Sequence, residues 1–171
     1  MAYDLSERLV IGLASSALFD LAESDRVFRE QGEASYRGYQ RDHENTPLAT
    51  GVAFPFIKRL LSLNELSPDN PPIEVVLLSR NAPAHERVIH TMRSWGVTVN
   101  EAYFLGGIAK EHVLGIIKPH IFFDDQASHL SATSDTLPSV HVPFGQLNQG
   151  LVVGDEEPSR PVQPSPEENS P

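Results

Sequence analysis

Four short apolar runs separated by helical segments constrain this chain more than any other feature. Leu9-Val-Ile-Gly-Leu-Ala14, Ile73-Glu-Val-Val-Leu-Leu-Ser79 and Glu101-Ala-Tyr-Phe-Leu105 read as buried strands, and Ile121-Phe-Phe123, led by His120, reads as a fourth. Runs of this length bounded by turn residues suit strands better than helices. Between them the spacing predicts helices over 25–41 (Val27, Phe28, Tyr36 and Tyr39 inward), 54–63 (Phe56, Ile57, Leu60 and Leu61 inward), 82–95 and near 110–117. Gly32 and Gly38 predict a break in the first, and Gly96 a stop for the third. Ala17-Leu-Phe-Asp-Leu-Ala reads as a short connection and 43–52 as loop. Ser139-Val-His-Val-Pro143 reads as an edge strand, because proline cannot donate to a ladder. Strands alternating with helices predict a three-layer, Rossmann-like α/β domain with a mostly parallel sheet and a helical insertion, about 20–60, after the first strand.

Length and charge narrow the rest. A chain of 171 residues builds one domain with a core, here expected over 1–150. From 151 onward the chain holds five of its 14 prolines and five acids against Arg160, and predicts a disordered acidic tail. The net charge of −10 argues against nucleic acid or a membrane surface as partner. With no cysteine, disulfides, thiolate zinc sites and cysteine nucleophiles are excluded. Without a signal-like N-terminus or a long apolar stretch, the expected localisation is cytoplasmic.

Polar groups gather at the predicted carboxyl ends of the strands. Ser79-Arg80-Asn81 closes the second, Gly106-Gly107 the third with Lys110 just beyond, and Asp124-Asp125 the fourth. In open α/β sheets that edge is where ligands bind. A hydroxyl, an ammonium and paired carboxylates there could hold a phosphate and a hard cation such as Mg²⁺. The plainer reading has Asp124 and Ser79 capping helices, Gly106-Gly107 forming a plain turn and Lys110 solvated in a helix's first turn. None of the seven histidines forms an i, i+4 metal pair, so surface or hydrogen-bonded roles are expected for them.

Ser79, Lys110 and Asp124-Asp125 resemble the second, third and fourth motifs of the haloacid dehalogenase-like phosphatases. Longer strings narrow the likeness: Ser15-Ser-Ala-Leu-Phe-Asp20, Tyr39-Gln40 with His43-Glu-Asn-Thr-Pro-Leu48, Gly51-Val-Ala-Phe-Pro-Phe56, Arg93-Ser-Trp-Gly96 and His120-Ile-Phe-Phe-Asp-Asp-Gln126. Over roughly residues 8 to 146 the chain resembles the cytosolic 5′-nucleotidase I family. The resemblance implies a haloacid dehalogenase-type domain and Mg²⁺-dependent hydrolysis of nucleoside 5′-monophosphates. In that chemistry a first-strand aspartate attacks phosphorus and a second, two residues on, acts as acid and base. It also implies roles: Asp124 and Asp125 on the metal, Lys110 neutralising phosphate charge, Ser79 donating to it, and Arg80, Asn81 and Gly107 beside the substrate.

The first motif departs from the family's pattern. Matching on Leu18-Phe19 puts Leu13 at the nucleophile and Ser15 at the acid/base, where the catalytic copy has Asp-Gly-Asp. Family members have two related halves, and this chain resembles the start of the first joined, near Ser79-Arg80-Asn81, to the end of the second. Asp20 lies seven residues past the nucleophile position and suits a cap better. The competing expectation is a catalytically inactive protein that binds nucleotide or phosphate. Association with a full-length relative as its regulator is a further expectation, and a third is a homodimer in which the partner copy supplies a carboxylate.

Overall fold

The computed structural model describes residues 5–145. The expected tail from 151 lies outside them. In chain order come β1 (Leu9–Ala14), α1 (Ser15–Leu18), β2 (Phe19–Asp20), α2 (Ala22–Asp42), β3 (Ala49–Thr50), α3 (Phe54–Ser62), β4 (Ile73–Ser79), α4 (His85–Ser94), β5 (Glu101–Phe104), α5 (Lys110–Ile117), β6 (Ile121–Asp124), α6 (Ala127–Ser131) and β7 (Ser139–His141). Five strands form one sheet in the order β5-β4-β1-β6-β7, and every neighbouring pair in it is parallel. The expected three-layer α/β fold of the haloacid dehalogenase type is what forms.

Strand alternation builds the two outer layers. Ile11, Leu13, Val75 and Leu77 face one way and pack with Ile57 of α3 and Val88 and Met92 of α4. Val10, Ala14, Val76, Leu78 and Phe122 face the other way, against Leu114 of α5 and Leu130 of α6. A strand buried on both faces has no polar side to show, which is why β1 and β4 read as near-continuous apolar runs. The exception, Glu74, is 1% exposed and accepts hydrogen bonds from Arg8 and Asn100, each at 3.1 Å.

Two local readings need correction. The 17–22 stretch is more than a connection, and 43–52 more than a loop. α1 is a single helical turn, and β2 then pairs antiparallel with β3, Phe19 opposite Thr50. Neither strand is long enough to show a period, and each exists because the other is there. Gly51 locks the pair to α1. Its N–H donates to the Leu18 carbonyl at 2.8 Å, and a Cβ there would stand 2.6 Å from the Ala17 carbonyl oxygen. Phe28 and Phe56 are half exposed rather than inward. Gly32, at φ 79° and ψ 179°, breaks α2 as expected, so the two halves of that helix do not share one apolar face.

Candidate active site

The sheet order reverses at β1. The chain steps from β1 to β4 and β5 on one side, then returns to β6 and β7 on the other. A crevice opens at the carboxyl ends flanking such a switch. Leu13 pairs with Leu77 on one side and Phe123 on the other, so Ser15-Ser16, Ser79 and Asp124-Asp125 emerge along the same edge.

Asp124 is fully buried and wholly engaged. Its Oδ2 accepts from Lys110 Nζ at 2.7 Å and lies 3.1 Å from His129 Nδ1. Its Oδ1 accepts from the Gln126 amide at 2.9 Å. Burial pushes this carboxyl up, but the Lys110 ammonium, the Gln126 amide and His129 together outweigh it and hold the group below the usual carboxylate range. Asp124 thus holds the turn that leads into α6, whose cap position is Gln126, and pairs with a buried ammonium. Lys110, 5% exposed at the first position of α5, is not solvated.

Asp125 has the opposite character. Burial raises its carboxyl above the usual range; the Ser16 hydroxyl, which donates to Oδ1, works against this, and the charge of Asp124 adds to it. Asp25 of α2 is raised as well, by burial first, opposed by Arg29 and reinforced by Asp125 and Asp20. Asp25 of the inserted helix thus lies within electrostatic reach of Asp125.

The remaining expected residues divide. Ser79, 2% exposed, accepts from the Asn81 amide at 3.2 Å, so its hydroxyl closes its own turn. Arg80 reaches over the edge, with Nη1 3.2 Å from His129 Nε2 and Nη2 donating to the Gly107 carbonyl at 3.3 Å. Asn81 Nδ2 donates to the Tyr36 hydroxyl and so ties the edge to α2. A cleft of about 920 Å³ is lined by Arg80, Gly107 and Gln126 together with Phe28, Tyr36 and Gln40. Sequence reasoning missed His129, Ser16, Tyr36 and Gln40. His129 stood five residues past Asp124 without a metal-pair spacing, and only the short turn into α6 folds it back onto the carboxylate.

The sequence model of the 5′-nucleotidase family matches residues 1–83 and 79–149. The chain belongs to the cytosolic 5′-nucleotidase I family. The two matched segments overlap at 79–83, around the turn after β4. The chain is 33% identical over 137 residues to human cytosolic 5′-nucleotidase 1B, covering 76% of this chain and 22% of that protein. It thus spans about a fifth of that relative's length. No solved structure matches the chain. Among the described residues, no helix is long and apolar enough to cross a membrane.

Against the family's pattern, the first motif is apolar in space as well as in sequence. Leu13 is 0% exposed and packs in the core with Ile11 and Leu77. The donors present do not make a Mg²⁺ site. Both oxygens of Asp124 and one of Asp125 are held by protein donors, one of them an ammonium. Among the described residues no three His, Asp or Glu side chains gather to hold a metal. Mg²⁺ needs several oxygen ligands in near-octahedral array, and a lysine in direct contact with the carboxylate competes for the same charge.

Proposed function

We propose that this 5′-nucleotidase-family chain binds a nucleoside 5′-monophosphate at its carboxyl edge without hydrolysing it. One observation carries the reading: Leu13, fully buried in the core, stands where the family's chemistry needs a nucleophilic carboxylate. A leucine side chain has no lone pair with which to attack phosphorus, so no aspartyl-phosphate forms. Ser15, at the acid/base position, offers a hydroxyl where the chemistry needs a carboxylate to take up and return a proton.

What remains is suited to holding an anion. Arg80 crosses the mouth of the cleft between His129 and the Gly107 carbonyl and presents a guanidinium whose geometry matches phosphate oxygens. Lys110 adds positive charge behind it, fixed in place by Asp124. The family's substrate class supplies the ligand, a nucleoside monophosphate.

The test is phosphate release from AMP and IMP with Mg²⁺, run beside an Asp124→Asn control, together with calorimetric titration of the same nucleotides. Binding without release is the expected result. Release that Asp124→Asn abolishes would restore the hydrolase reading, with a second copy or a full-length relative as the source of the missing carboxylate.

A further inference from the structure

β6 is closed on one face and half open on the other. Its residues alternate between half-buried and buried, with Ile121 and Phe123 on the partly open side. On the closed side Phe122 is fully buried against Leu114 of α5 and Leu130 of α6. Val140 of β7 stands opposite Phe123 in register and is half-buried too. Parallel sheets of this kind are covered on both faces, as every residue of β4 is here.

α3 borders the open side with apolar side chains. Its Ile57 faces the core. Phe56, Leu60 and Leu63, the last just past the helix end, follow one another along the neighbouring flank at helical spacing. Phe56 meets Phe123 with ring centroids 5.7 Å apart and is still 49% exposed, and Leu63 is 43% exposed. An apolar strip therefore runs from α3 across β6 to β7, and contiguous apolar surface of this kind marks a place that another segment covers.

Charge and chain length say what covers it. α3 carries Lys58 and Arg59, both exposed, and no acid. A second copy seated through the same strip would bring the bases of both copies onto one interface, so the fitting occupant is apolar with acids beside it. The sequence after Gly145 has that pattern: Leu151-Val-Val153, then Gly154 and Asp155-Glu-Glu157. Gly145 lies just past β7, in a bend at φ 80°. The chain from there to Leu151 can span up to about 20 Å. β7 is one strand spacing, about 4.8 Å, from β6, whose Phe123 touches Phe56.

We propose that the α3–β6–β7 strip is an intramolecular docking surface for the chain's own segment 151–157. Leu151, Val152 and Val153 cover Phe56, Phe123 and Val140, and the three acids lie beside Lys58 and Arg59. The inference is independent of the monophosphate reading, because Phe56, Phe123 and Val140 do not line the cleft.

The chain has no cysteine, so one engineered pair reports on one contact. In the full chain, Phe56→Cys/Val152→Cys is oxidised with glutathione disulfide beside Ile116→Cys/Val152→Cys. Ile116 is 83% exposed on α5, in the opposite layer, and serves as the undocked control. The intramolecular disulfide is expected to form about tenfold faster at residue 56 than at residue 116, the gain in effective concentration of a docked segment over a merely tethered one. Adding Leu151→Asp and Val153→Asp removes that advantage. Hydrogen exchange on the parent chain, where no substitution can disturb the fold, is expected to show the amides of 151–153 protected about tenfold over their intrinsic rates. Equal disulfide rates at the two positions would overturn the proposal, as would unprotected amides at 151–153. A disulfide at residue 56 that joins two chains, in a protein that sediments as a dimer, would overturn it in favour of a second copy as occupant.

Discussion

β1 and β6 lie side by side in one parallel sheet, in register from Ile11 opposite Ile121 to Leu13 opposite Phe123, and they end in opposite chemistry. β1 runs out through Leu13 and Ala14, both fully buried, into the hydroxyls of Ser15 and Ser16. β6 runs out into two buried carboxylates, one clamped by Lys110 and the other touched by Ser16. A sheet edge thus provides a place for polar groups but not their chemistry, and this chain sets a charged strand end beside an apolar one.

The contrast breaks most directly at Leu13. Leu13→Asp puts an unpaired carboxylate among Ile11, Leu77 and their neighbours, and is expected to cost about 3–5 kcal/mol, the scale of an uncompensated buried charge. Urea denaturation measures it. A variant as stable as the parent would mean that the β1 end already holds a carboxylate pocket, and the contrast would fall.

Removing the cation from the other end comes next. Lys110→Met leaves Asp124 buried with only His129 and the Gln126 amide, with an expected loss of about 3 kcal/mol. The double variant Lys110→Met/Asp124→Leu is expected to recover most of it, because an apolar pair replaces an ionic one. If the double variant is as unstable as the sum of the singles, the ion pair is not what holds this end.

The smallest and sharpest effect separates the two neighbouring carboxylates. Asp124 is held below the ordinary value of 3.8. Its contribution is full above that pH and is lost as pH falls from 3.8 through its depressed folded value. Asp125 is held above 3.8. Ionising it inside the protein costs stability as pH rises from 3.8 through its raised folded value. Asp124→Asn is therefore expected to destabilise at pH 7 by about 2 kcal/mol and to flatten the acid limb of the stability curve. Asp125→Asn keeps an acceptor for Ser16 and is expected to be neutral or slightly stabilising at pH 7. Equal losses from both would show that the adjacent acids share one role.

The legible parts of this molecule were those whose cause is local. β4 forms over Ile73–Ser79 as the β-branched run indicates, and Gly32 and Gly96 interrupt helices because both sit at positive φ. The strand-end polar groups were visible for the same reason: an apolar run that stops at Asp124-Asp125 must stop at an edge. Illegible were the pairs that exist only across distance. β2 and β3 are two residues each and lie about thirty residues apart. Phe28 faces a cleft rather than a core because α2 changes direction at Gly32. His129 and Ser16 reach the carboxylates from two different helices, α6 and α1.

By itself, the order of apolar runs and turns determined the layered α/β fold, the strand edges and the absence of a first-strand aspartate, since each follows from residue type and period. Tertiary structure decided what each polar group does there. Desolvation and neighbouring charge act through space, so only the assembled edge could hold Asp124 ionised against Lys110 and raise Asp125 beside it.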